Sequence, residues 1–597
     1  MNRLRFLVLA VVCLIVPASR VCSAPVPAAR SGLDQVPDTA PLVIHIRGIQ
    51  GAHDRLVDLM KKGLPDVLEK YKTPIDEFFE KGPDNVLSGR KLSGLAKDGP
   101  LFFALLELPK PNDSGIPKMA YILTVTDYKK FREGILTEEE NKNVKDEGNG
   151  IESANFGGMP VYFVNRKGHA VVTPDKEVAD SFTKKIKGLD TKLGKEQAAK
   201  LLASDLGIYV NMESVNKEYG EQIKQARQQI EQLIGFAAAA GGDESQKQAA
   251  ETIKNALPHI FQTIEDMQLL MATLELRPGG LAVHLHGDVT ESSTTAGYLQ
   301  DSRPVAFKDL ERLPQDRDIY LGMKASSALF TKLSNLMSGL PGGDTKESAD
   351  LIKELAKAGP ESILFGASFP LSGLIAYHYD KPTEAVATQV KLLKARIASD
   401  SDLKKAGLKE KPVLKTDAQK HGDFKLHSLQ MVWDFDKLAE TAAAKVGEDA
   451  KKQIIESLKG ILGEKMQLWF GTDGKTAVQI VAPDWETARK LLDQYSKGDG
   501  GSAMVKTLRK EMPARTSFLG MFDGLQLLKT GVELAKPQLP PGAALPPNWP
   551  NMSLKGDLAY VGLAVTLQPN RGGIDLFLTV DAVKEFYKVA IKPLVGE

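Results

Sequence analysis

The sequence predicts an α+β protein built as a tandem duplication, each half made of strand–helix–hairpin–helix units with antiparallel sheets. Three observations predict it. Polar turns recur ahead of short runs of β-branched or aromatic residues, a strand signal. Each such run is followed by a stretch with helical periodicity. These junctions return in the same order in the two halves of the 597 residues.

The first class of junction opens a unit. Val36-Pro37-Asp38 leads to Leu42–Ile46, and Leu202-Ala203-Ser204-Asp205 leads to a strand over 206–212. Leu313-Pro314-Gln315-Asp316 leads to 319–323, and Met512-Pro513-Ala514-Arg515 leads to 517–521. Helical periodicity follows over His53–Lys62, Val215–Ile234, Ala325–Met337 and Leu525–Ala535. Gly63 and Pro65 should interrupt the first of these helices.

The second class is a strand that runs into a helix-start signal. Tyr121–Val125 meets Thr126-Asp127, Ala170–Val172 meets Thr173-Pro174-Asp175, and Ala477–Val481 meets Ala482-Pro483-Asp484. Ile375–Tyr379 meets Asp380-Lys381-Pro382, and Ile574–Thr579 meets Asp581. A Thr or Asp side chain there accepts a free helix N–H, and an acid offsets the helix dipole. Strands around Arg277-Pro278-Gly279-Gly280 and around 568–573 read as hairpins. The order gives two halves, 36–301 and 313–597, with linkers at 24–35 and 302–312 and antiparallel meander sheets carrying helices on one face. Phe236–Asp243, Ser338–Thr345 and the proline-rich Lys536–Asn551 read as irregular loops at helix tips.

The N-terminus reads as an export signal over 1–23. Arg3 and Arg5 precede an apolar run, Phe6–Val16, too short for a ~20-residue span but right for a signal core. Small residues follow, and a cut after Ser23 places Ala24 at the new terminus. Both cysteines, Cys13 and Cys22, fall inside the signal. The processed chain then has no thiol, which excludes disulfides and Cys-ligated metal centres. The expected location is periplasmic or extracellular, with no transmembrane segment after processing.

Composition narrows the function. Hydrophobic residues are 42% and charged residues 26%, the balance of a chain that buries a core. The 77 basic and 76 acidic residues give a net charge of +1. Losing Arg3, Arg5 and Arg20 with no acid takes the processed chain to −2. Such a balance offers no field for a polyanion, so nucleic acid is excluded as a partner.

The stretches VPDTAPLVIHIRGIQ (from Val36) and GRKLSGLAKDGPLFFALLELP (Gly89–Pro109) resemble large exported bacterial proteins of planctomycete type, known only as domains of unknown function. The resemblance is concentrated in Val36–Pro109. It implies secretion and names no activity, ligand or site.

No motif names a reaction. Gly474-Lys475-Thr476 has the ending of a phosphate loop, but Trp469 stands where its first glycine would be, so 471–474 reads as a hairpin turn. His284-x-His286-x-Asp288 has metal-ligand spacing, and alternation puts the three on one sheet face. The second half has Phe577 and Thr579 in place of the histidines. His378 precedes Asp380 and could pair with it as a base, although Asp380 is better placed as a helix cap. The acids Glu138-Glu139-Glu140 and Asp146-Glu147 read as a solvated charge run. Trp469 reads as core, and Trp485, in a first helical turn, as a possible platform for carbohydrate or lipid.

The reading is an exported non-enzymatic binding or envelope-scaffold protein of unknown ligand, with no assigned catalytic, cofactor or metal residue. The alternative is a hydrolase or a lipid-handling protein whose site is assembled from loops.

Overall fold

The polar turns and β-branched runs form strands, and helices follow them. A computed structural model describes residues 32–81, 90–110, 115–239, 244–325, 346–398, 407–442, 448–463, 465–498, 501–527 and 559–588. The stretch read as a signal and both cysteines lie outside the described residues, as do the stretches Ser338–Thr345 and Lys536–Asn551 read as loops and residues 326–337 and 528–535 of two expected helices. Two units are distinguished: residues up to Ser302 with Leu567–Ile574, and Arg303–Thr566 with the residues from Asp575.

The first unit contains β1 (Leu42–Ile46), β2 (Leu101–Leu105), β3 (Met119–Thr124), β4 (Lys145–Gly148), β5 (Ile151–Phe156), β6 (Met159–Arg166), β7 (His169–Thr173), β8 (Leu206–Asn211), β9 (Met267–Arg277) and β10 (Gly280–Val289). They pair antiparallel in the order β4-β5-β6-β7-β3-β2-β1-β8-β9-β10. The opening strand β1 is central, with Leu42 opposite both Leu105 and Val210.

The second unit contains β11 (Ile319–Lys324), β12 (Pro360–Ser368), β13 (Ser372–Tyr379), β14 (Val413–His421), β15 (Phe424–Val432), β16 (Lys465–Thr472), β17 (Ala477–Ala482), β18 (Phe518–Asp523), and β19 (Tyr560–Gln568) and β20 (Arg571–Thr579) apart from their Leu567–Ile574 stretch, which belongs to the first unit. Its order is β14-β15-β16-β17-β13-β12-β11-β18-β19-β20. This is the first unit's order, strand for strand.

Helices cover both faces of the sheet in each unit, not one. In β7, Val171 packs with Val178 and Phe182 of helix Lys176–Thr183, while Ala170 and Val172 pack with Phe131 of helix Tyr128–Ile135 on the other face. In β13, Tyr377 and Tyr379 face Val386 and Leu393 of helix Pro382–Ala398. Leu374 and Ala376, on its other face, are fully buried on the side of helix Trp485–Lys497. Consecutive apolar residues such as Ala170-Val171-Val172 cannot leave one side in water, so each sheet needs two covers.

The start signals act locally. Asp127, Asp175 and Asp484 cap their helices, accepting from Lys130, Val178 and Thr487 amides at 3.0, 3.1 and 2.8 Å. Thr579, not Asp581, caps the last described helix, Val580–Phe586. Asp380 lies two residues ahead of helix Pro382–Ala398. The first helical stretch is interrupted at Leu64, between helices Ile49–Gly63 and Pro65–Lys81. Phe236–Ala239 continues helix Met212–Ala239 instead of forming a loop, because alanine favours the helix.

Two stretches read as linkers are partly structural. Leu33–Gln35 is a 3-10 turn whose Leu33 is sealed in the first core. Lys308–Arg312 is another, with Leu310 buried, and Val305 forms a β-bridge with Thr516. In both, an apolar side chain that reaches the sheet turns the connection into part of the fold.

Candidate functional site

A cleft of about 620 Å³ in the first unit is lined by the start of helix Ile49–Gly63, by Asp76 of helix Pro65–Lys81 and by residues 90–97. Gly48 allows this approach. Its φ is 153°, and a Cβ there would lie 2.8 Å from the Asp98 backbone. The Gln50 amide then donates to the Lys97 carbonyl at 3.2 Å, joining two walls of the cleft. Opposite, the Lys91 amide donates to the Gly134 carbonyl at 2.7 Å and the Thr126 amide to Gly94 at 2.7 Å. Residues 90–97 are therefore held against helix Tyr128–Ile135.

His53 joins the two helices. Its Nε2 lies 2.9 Å from Asp76 and its Nδ1 3.2 Å from Asp54. Arg90, 8% exposed, forks onto Glu140, donates to the Ile135 carbonyl and stacks 3.9 Å from the Phe156 ring centre. Burial opposes ionisation of Glu140. Hydrogen bonds from Arg90 and the Gly157 and Thr137 amides outweigh it and pull the carboxyl down to about 2. Glu140 is thus a structural anchor, not part of a solvated charge run, while Glu138 and Glu139 remain exposed.

With Arg90 committed, Lys91 and Lys97 are the cations at the cleft with no carboxylate partner among the described residues; both are exposed. Ser93 adds a hydroxyl, and Ile49, Leu92 and Leu95 add apolar wall. The chemistry of this lining suits a small anion with an apolar portion. The sequence signal was GRKLSGLAK, in which basic residues alternate with small and apolar ones, but nothing in it names the helices that complete the wall.

The residues with metal-ligand spacing are engaged otherwise. Asp288 accepts from His286 at 2.9 Å, Gln197 at 2.7 Å and Arg571 at 2.9 Å, the last from the Leu567–Ile574 segment of the same unit. Burial raises its proton affinity, but these donors hold it at about 2. His284 lies 3.4 Å from Arg277 and 3.6 Å from Glu275, away from that cluster. Among the described residues, no group of three or more His, Cys, Asp or Glu is arranged to hold a metal.

Gly471–Gly474 enters a hairpin turn, with Asp473 accepting from the Lys475 and Thr476 amides at 2.8 and 2.7 Å. Trp469 is buried; Trp485 is half-buried, 5.9 Å from it and 6.2 Å from His421, so it is packed rather than presented as a flat platform. His378 contacts Ser362 and Asp309.

No family model matches the chain, and no curated protein matches it. Two solved chains do, both of TP0453, in crystal forms IV and III. They are 9% and 10% identical, cover 48% and 47% of this chain and 96% of each of those, and have TM-scores of 0.22 and 0.20. A likeness at this level carries no functional argument. Among the described residues, no helix is long and apolar enough to cross a membrane.

Proposed function

We propose that the chain is an exported binding protein whose first unit takes a small amphiphilic anion in the His53 cleft. The observation that carries this reading is the pair Lys91 and Lys97, with no carboxylate partner among the described residues, on a cleft of about 620 Å³ with an apolar wall. Volumes of this order suit small-molecule ligands. The two lysines supply charge, and helix Ile49–Gly63, fixed through His53 and Asp76, supplies a preformed surface. Export is supported by Arg3, Arg5 and the Phe6–Val16 run. The shared strand order supports descent of both units from one ancestral unit.

Native mass spectrometry of protein purified from its own host tests the ligand, with a fluorescent anilinonaphthalene sulfonate as probe in solution. The wild type should retain an anionic amphiphile and bind the probe, and a Lys91→Ala, Lys97→Ala double variant should lose the ligand and bind the probe at least about tenfold more weakly. Absence of a retained ligand together with equal probe affinity would overturn the proposal. N-terminal sequencing of the exported form should begin near Ala24; retention of Met1 would refute processing.

A further inference from the structure

We infer that the second unit carries an activated serine, Ser362, that reacts with carboxylic esters through His378 and Asp309. Ser362 Oγ lies 2.8 Å from His378 Nδ1, and His378 Nε2 lies 3.2 Å from a carboxylate oxygen of Asp309. The three come from separate places: β12, β13 and the 3-10 turn Lys308–Arg312. The strand register brings the first two together, because Ser362 is directly opposite His378. Facing residues of an antiparallel pair project to the same side.

The local backbone sets this apart from an ordinary strand pair. The β12–β13 register shifts between Pro360 and Ser362, so a bulge immediately precedes the serine. Bulges re-aim side chains and recur beside active sites. On the far side of β12, Lys324 is the register partner of Ser362. A cation, a hydroxyl and an imidazole therefore stand in a row across β11, β12 and β13. His378 is 22% exposed and Asp309 40%, so the row is open to a substrate from solvent.

The carboxylate defines the chemistry of the ring. Asp309 holds the proton on Nε2, which leaves the Nδ1 lone pair facing the Ser362 hydroxyl. Ser362 Oγ bonds to the ester carbonyl carbon as its proton passes to Nδ1, and the carbonyl electron pair moves onto oxygen. Lys324, the register partner of Ser362 on β11, is the nearest strand cation to that developing charge in the pairing. Collapse breaks the bond to the alcohol oxygen, which leaves with the proton from Nδ1. Water then adds to the acyl-serine, gives its proton to Nδ1 and releases the acid as Ser362 regains a proton. Asp309 is a positioning residue, since it acts through His378.

A fluorophosphonate probe and peptide mass spectrometry test this on the full chain. The wild type should be labelled at Ser362, and His378→Gln should label at least about 100-fold more slowly. Asp309→Asn should label more slowly than Asp309→Glu, which keeps the carboxylate. The wild-type result stands even where a variant fails to fold. Absence of label, label on another serine, or an unchanged rate in a folded His378→Gln protein would each overturn the assignment and leave the row a structural polar contact.

Discussion

The His45 imidazole packs 5.2 Å from the Phe102 ring in the centre of the first unit's sheet, and His45 is fully buried. The two are register partners on β1 and β2, on the face that also buries Val43. Burial, reinforced by Arg47, lowers the His45 pKa to about 3.

The first unit should therefore weaken in acid. A histidine whose folded pKa lies below its unfolded value of 6.5 gives full stability above 6.5, lost as pH falls toward 3. At 1.36 kcal/mol per unit, the loss from this residue reaches roughly 3 kcal/mol by pH 4.5. His45→Leu should flatten that part of the profile. All four tryptophans fall within Arg303–Thr566, so fluorescence follows the second unit. Hydrogen exchange at β1 amides is the measurement for the first.

Glu140→Gln should destabilise the wall of the cleft by about 2–4 kcal/mol, because the largely buried Arg90 guanidinium loses the ionised carboxylate that it forks onto. The ionised carboxyl stabilises above its unfolded pKa of 4.5, and its contribution is lost as pH falls toward 2. Chemical denaturation followed by exchange at β5 and β6 should show the loss at pH 7 and little difference between wild type and variant near pH 2.

Asp175→Ala should cost the first unit about 1 kcal/mol, since the Val178 amide loses its acceptor. Asp484→Ala should shift the second unit in the same direction, through Thr487. Exchange confined to the first turns of helices Lys176–Thr183 and Trp485–Lys497 is the signature to seek.

Gly471→Ala should disrupt the β15–β16 pairing. A Cβ at that position would lie 1.9 Å from the Lys425 carbonyl oxygen, a contact only backbone movement relieves. The expected loss is at least about 3 kcal/mol, visible in the fluorescence of neighbouring Trp469.

Much of the candidate-site chemistry was invisible in one dimension. His378 suggested a partner two residues away in Asp380, but strand pairing gave it Ser362 and the 3-10 turn gave it Asp309. Asp288, read beside His284 and His286, keeps His286 as a partner but is also held by Gln197 and Arg571 from distant segments. Spacing along a chain identifies which residues share a face. It does not identify what packs over that face.

Local signals were enough for the α+β class, the opening strands at β1, β8, β11 and β18, and the helix starts at Asp127, Asp175 and Asp484. These are local: β-branched runs favour extended backbone, and a carboxylate caps a helix that begins at the next residue by accepting the amide three residues on. Long-range packing was needed to place β1 between β2 and β8, to cover both sheet faces with helices, and to set Lys91 and Lys97 at the border of a cleft with His53. The physical reason is that pairing and burial depend on the sum of distant contacts, and no residue carries the identity of its partner.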